Sequence, residues 1–200
     1  MRFHLKSIVA VFALMLAASP MAGAADLNFT IQQVGSNVVM TGSGSVNTAG
    51  LTSNGSADRA GSVNPSFSAF AMGSPSTVTD TFWASLTGTK PAIGTGSFTL
   101  ASSGTGDSFG VVTLGNGGLY LPPTYISGAN LSGQSTFAST TLSGLGLTTG
   151  SYTWTWGSGA NAGSAIMTIG AVPEPSTYVL GAIATGVMAA VARRRKAARG

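Results

Sequence analysis

Ser151-Tyr152-Thr153-Trp154-Thr155-Trp156-Gly157 decides the class of fold. Tyr152, Trp154 and Trp156 alternate with Thr153 and Thr155, so an extended chain puts three rings on one face and two β-branched hydroxyl residues on the other. That is a strand with one buried face. The same period of two recurs at Leu27, Phe29 and Ile31, at Phe98 and Leu100, and at Ala165, Met167 and Ile169, while Phe109 to Leu114 reads as a more fully buried strand. Val38 to Met40, Val78 to Leu86 and Ser135 to Leu142 complete a set of about eight short strands. Asn-Gly, Gly-Gly and Pro-Pro punctuation separates them, and no fixed repeat period emerges, which argues against a solenoid or propeller. The expected body is a mainly β, antiparallel β-sandwich over residues 26–170. Residues 42–76, dominated by Gly, Ser and Asn, are expected to be irregular strands or one long loop.

Composition supports the class. Between Asp26 and Gly170 stand 25 Gly, 23 Ser and 22 Thr, a content that disfavours helix because Gly loses the most backbone entropy and hydroxyl side chains compete for backbone bonds. The formal net charge of +4 suggests a nucleic-acid binder until the charges are located. Arg2 and Lys6 stand at one end, Arg193, Arg194, Arg195, Lys196 and Arg199 at the other. Only Arg59 and Lys90 lie in the body, against Asp26, Asp58, Asp80 and Asp107. A basic nucleic-acid face is thereby excluded, since counterion release needs clustered cations. The chain has no cysteine, and its one histidine, His4, lies in the N-terminal segment. Cys/His zinc sites, Ser-His-Asp and Cys-His hydrolases and disulfide scaffolds are excluded for the mature body, and no cofactor is expected.

The two ends are addresses. Residues 1–25 carry the three parts of a secretory signal peptide: a positive start at Arg2 and Lys6, an apolar run from Ile8 to Ala18, and the small-residue site Ala22-Gly23-Ala24 with cleavage after Ala24 or Ala25. The apolar run rises only about 16 Å as a helix, against a hydrocarbon core of about 30 Å, so it leads to the Sec translocon and not to a stable span. At the other end, residues 171–176 hold Val172-Pro173-Glu174-Pro175-Ser176, an extended stretch because the prolines deny backbone donors. The uncharged residues 177–192 then read as a single transmembrane helix, and 193–200 as a basic tail kept in the cytoplasm by Arg193, Arg194, Arg195 and Lys196. Ala182, Gly186 and Ala190 share one face of that helix, as Gly and Ala commonly do in such helices.

Pro-Glu-Pro, a short Gly/Ala-rich apolar helix and an Arg-rich end, in that order, resemble the PEP-CTERM sorting signal of Gram-negative bacteria. The resemblance covers about residues 172–199 and implies a partner, the membrane-embedded peptidase or transpeptidase exosortase. It makes Pro173, Glu174 and Pro175 the recognition element, Tyr178 to Ala192 a temporary anchor and Arg193 to Lys196 the stop. The same tail is also known as an ice-binding protein C-terminal domain, a label that carries no implication of ice binding. Leu121 to Gly128, Ser135 to Phe137 and Leu145 to Gly157 are similar to a module of other PEP-CTERM substrates, which implies a shared secreted sandwich without an assigned activity.

Four body features compete as sites. Asp80 and Asp107 are the best candidates for the carboxylate pair of a small hydrolase, though two solvated surface charges is the plainer reading. Gly104-Thr105-Gly106-Asp107-Ser108 has oxygens for calcium but a single acid, so a turn is preferred and no metal is expected. The Tyr152, Trp154, Trp156 stripe suits either a sugar platform or the core, and a body so poor in large apolar residues needs it inside. The Thr-x-Thr runs at Thr77 to Thr81 and Thr153 to Thr155 resemble ice-binding faces but lack the register-stacked repetition that a flat face would require, and Thr is a good outward residue on a strand. The resulting expectation is an exported, non-enzymatic surface or extracellular-matrix protein. It is held first at the inner membrane with a periplasmic body, and later associates with extracellular polysaccharide in a biofilm. A carbohydrate-binding module and a carboxylate-dependent hydrolase are the alternatives.

Overall fold

A computed structural model describes residues 25–170 apart from Thr77. The expected signal-peptide site at Ala22 and Ala24, the Pro173-Glu174-Pro175 element, the expected transmembrane helix over 177–192 and the expected stop at Arg193 to Lys196 lie outside the described residues. Seven strands occupy the first half of the body: β1 (Ala25–Val34), β2 (Asn37–Ser45), β3 (Thr52–Arg59), β4 (Ser62–Asn64), β5 (Ala69–Ala71), β6 (Val78–Ala84) and β7 (Leu86–Thr87). Seven more complete it: β8 (Thr99–Leu100), β9 (Ser103–Gly106), β10 (Gly110–Val112), β11 (Gly118–Leu121), β12 (Asn130–Phe137), β13 (Gly150–Trp156) and β14 (Gly163–Ile169). They form two seven-stranded sheets, ordered β7-β13-β14-β1-β2-β12-β9 and β3-β6-β11-β10-β5-β4-β8. No helix among the described residues is long and apolar enough to cross a membrane.

The alternating pattern does what it predicts where a second sheet covers it. Leu27, Phe29 and Ile31 of β1, Trp154 and Trp156 of β13, and Ala165, Met167 and Ile169 of β14 are buried in one core with Val63, Phe70, Leu119 and Leu121 of the second sheet. Rings join the sheets: Phe29 meets Phe70 edge-to-face at 4.8 Å between centroids, and Phe70 lies 5.6 Å from Trp154. Such contacts add about 0.5–1.5 kcal/mol to area burial.

Three expectations need correction, and one open alternative is decided. The sandwich is not wholly antiparallel, because β1 and β14 run parallel side by side, from Ala25 against Gly163 to Ile31 against Ile169. Residues 42–76 follow the first of their two expected readings, irregular strands and not one long loop: they hold the end of β2 and all of β3, β4 and β5, with a register shift between Ser53 and Ser56. The buried run expected from Phe109 to Leu114 forms strand only over Gly110–Val112, and Leu114 is exposed. Phe98 and Leu100, expected to face inward, are exposed, since only Thr99 and Leu100 form the short edge strand β8.

The glycines of the body serve close approach as much as turning. Ser135, fully buried in β12, donates its hydroxyl to the carbonyl of Gly73 at 3.1 Å, so the sheets meet there through backbone. A Cβ on Gly104 of β9 would stand 1.8 Å from that same carbonyl oxygen.

Candidate functional site

The chemistry of the body gathers on the outer face of the second sheet. Tyr120 of β11 and Phe82 of β6 are register partners whose rings lie 5.4 Å apart. Arg59, the last residue of β3, lays its guanidinium 4.2 Å from the centre of the Tyr120 ring. It donates to the Tyr120 hydroxyl and to the Asp58 carbonyl oxygen, the latter at 3.0 Å. A cation over an aromatic face gains about 0.5–2 kcal/mol, and here the two hydrogen bonds also hold the planar group in place.

Asp80, on β6, is 1% exposed. Its Oδ2 accepts from the Ser108 hydroxyl at 2.5 Å, while its Oδ1 has no partner among the described residues. Burial pushes its pKa from 3.8 up to about 6, with the Ser108 hydrogen bond and the Arg59 charge pulling the other way. A raised carboxyl suits a general acid, but acid chemistry on a glycoside needs a second carboxylate across the bond. Asp107 does not supply one, because its Oδ2 accepts from the backbone N–H of Ser132 in the first sheet at 2.9 Å. Adjacent residues 107 and 108 thus serve opposite sheets. Among the described residues no group of three or more His, Cys, Asp or Glu could hold a metal ion.

Beside Arg59 opens a groove of about 170 Å³. Phe67, Phe98 and Leu114 stand on its walls at 54%, 59% and 66% exposure, Tyr120 and Val112 line it, and Arg59, Ser62 and Asn64 bring polar groups to it. Sequence reasoning missed this cluster. The available signal was Arg59, one of only two cations in the body, and the residues around it are scattered along the chain from Arg59 to Tyr120.

The outer face of the first sheet is uncharged in its middle and rich in hydroxyls. One row across it runs Ser151, Thr168, Thr30, Thr41, Gln134, Thr105 by strand register, and Thr30 and Thr41 share a hydrogen bond of 2.7 Å. Side-by-side stacking of Thr and Ser, invisible as a linear repeat, is therefore present. A shallow groove of about 510 Å³ crosses it, lined by Asn28, Thr30, Thr41, Ser43, Thr105 and Gln134 among others. The Tyr152, Trp154, Trp156 stripe faces the other way. Trp154 and Trp156 are fully buried and Tyr152 packs against the core, so the stripe is no sugar platform.

Comparison with curated proteins and with solved structures finds no match. The model of the PEP-CTERM protein-sorting motif matches residues 171–196, beginning one residue beyond Gly170, the last described residue. That segment contains Pro173, Glu174 and Pro175 and ends on Lys196. The segment after the sandwich is thus an address for export to the cell envelope or surface, and the chain carries the PEP-CTERM sorting signal that exosortase handles.

Proposed function

We propose that this chain is a non-enzymatic protein of the cell surface or extracellular matrix, delivered by exosortase and associated with exopolysaccharide in a biofilm. The observation that carries the reading is the position of the sorting motif, which begins at residue 171, two residues after β14 ends at Ile169. The sorting motif thus follows the folded body directly along the chain. In the proposed sequence, the Sec translocon exports the chain, the signal peptide is removed at Ala22-Gly23-Ala24, and residues 177–192 hold the body transiently at the inner membrane. The enzyme then reads Pro173-Glu174-Pro175.

The parallel pairing of β1 with β14 bears on geometry. Seven paired residues at about 3.3 Å each separate the entry of β1 from the exit of β14, so the N-terminal end of the body faces away from the tail by about 20 Å. The membrane-facing end then carries the Gly35-Ser36 turn and Ser139 to Thr141, uncharged residues that bring no repulsion to an anionic surface. The separate engagement of Asp80 and Asp107 supports a role other than hydrolysis, and the hydroxyl rows of the first sheet suit a polysaccharide-rich setting.

Intact-mass measurement of the exported protein tests the reading. The expected form starts at Ala25 or Asp26 and ends near Pro175. An exported form that retains residues 177–200 overturns it.

A further inference from the structure

The groove beside Arg59 gathers large apolar side chains that are left in water together. Phe67, Phe98 and Leu114 share it, and Leu100, at 53% exposure, borders it through its register partner Ser62. In a protein this short of apolar residues, putting two phenylalanines and two leucines outside costs core that the fold could use, and a contiguous apolar patch of this kind marks a binding surface. From these observations we infer that the groove is a binding site for one neutral hexopyranose unit of a glycan chain, stacked between the Phe67 and Phe98 side chains and hydrogen-bonded by Asn64, Ser62 and Arg59.

Size, polarity and charge each select this occupant. At about 170 Å³ the groove is smaller than the roughly 300–1,000 Å³ pockets that enclose drug-sized ligands, so it takes a single ring while the rest of a polymer runs out over the rim. A protein partner would need about 800 Å² on each side, far more than four exposed side chains around one small groove provide. The mix of exposed rings with convergent polar groups fits a ligand whose ring faces are apolar C–H and whose edges are hydroxyls. Asn64 accepts from Ser66 through Oδ1 at 3.0 Å, which leaves its amide N–H₂ to donate outward, and the Ser62 hydroxyl makes no hydrogen bond among the described residues. Charge decides against an acidic sugar: the Arg59 guanidinium already acts on the buried Asp80 carboxyl, so little positive charge is left over to pair with a uronate.

This inference gives the polysaccharide association proposed above a location, and it rests on that reading only for the setting. The test uses the exported protein, with its intact mass recorded first so that sorting is judged separately. Binding is measured by affinity electrophoresis through gels containing soluble neutral glucan, galactan or mannan. At least one polymer is expected to retard the wild type, and Phe67→Ala with Phe98→Ala is expected to weaken retardation about tenfold or more, the equivalent of about 1.4 kcal/mol. Asn64→Ala tests the polar side independently and should weaken binding severalfold. Ile126→Ala, at an exposed position outside the groove, should leave it unchanged. Retention of none of the three polymers by a correctly processed protein overturns the inference, as does retention that the groove variants do not alter. A dimer that the double variant converts to monomer in sizing with light scattering also overturns it, since a second copy is then the occupant. Binding by a protein that keeps its tail leaves the groove standing and removes the sorting model instead.

Discussion

Replacing Asp80 by Asn gives the sharpest test of how the second sheet is built. The carboxyl is buried, half-partnered and shifted from 3.8 to about 6. Because the folded-state pKa lies above the unfolded one, the native state holds the proton more tightly, so the stabilisation is fully present below about pH 4 and is lost as pH rises through 6. A shift of about two units corresponds to about 3 kcal/mol at 1.36 kcal/mol per unit, and relaxation of nearby polar groups brings the expected figure toward about 1.5–3 kcal/mol. Asparagine keeps an oxygen to accept from Ser108 and cannot ionise, so it mimics the protonated acid at every pH. Urea unfolding followed by tryptophan fluorescence at pH 3, 5, 7 and 8 should show the variant gaining on the wild type by about 1.5–3 kcal/mol between the lowest and highest pH. Taking the difference between the two proteins cancels the titration of Asp26, Asp58 and Asp107. A difference constant across pH to within about 0.5 kcal/mol would refute the burial of an unpaired carboxylate, and so would a variant that loses ground as pH rises.

Particular contacts set three further outcomes. Trp154→Ala removes a fully buried ring between the sheets and should cost about 3–5 kcal/mol in urea unfolding. Trp154→Phe should cost much less, because the indole N–H it removes has no partner among the described residues. Gly104→Ala forces a Cβ to within 1.8 Å of the Gly73 carbonyl oxygen, so the join between sheets must move; a loss of about 1–3 kcal/mol is expected, and unchanged stability would show that the sheets meet elsewhere. Deleting Arg193 to Lys196, or replacing Glu174, should leave full-length protein in the membrane fraction or misrouted, as read by immunoblot against the body; normal processing of both variants would remove these residues from the signal.

The destination and the class of the protein were written in local sequence. The proline-framed motif is a linear pattern, and it is found where the residues placed it, at 171–196. The stripe at Tyr152, Trp154 and Trp156 was equally legible as core, because alternation with period two is a property of one strand and needs no partner to be seen. The rest depended on the other sheet. Phe98 and Leu100 alternate as well as Phe29 and Ile31 do, yet β8 is a two-residue edge strand with nothing packed over that face, so the same pattern ends in water. Asp80 and Asp107 read first as two solvated charges and only second as a carboxylate pair; strand pairing buries Asp80 against Ser108 and sends Asp107 to the other sheet. The threonine row across β14, β1 and β2 exists by register alone, as does the parallel seat of β14 beside β1. Sequence by itself determined that the body is a nearly uncharged β-protein between two basic handles, since charge and periodicity are carried residue by residue. Tertiary structure decided which faces are covered and which side chains from distant strands meet, because both are set by pairings between segments that no single segment encodes.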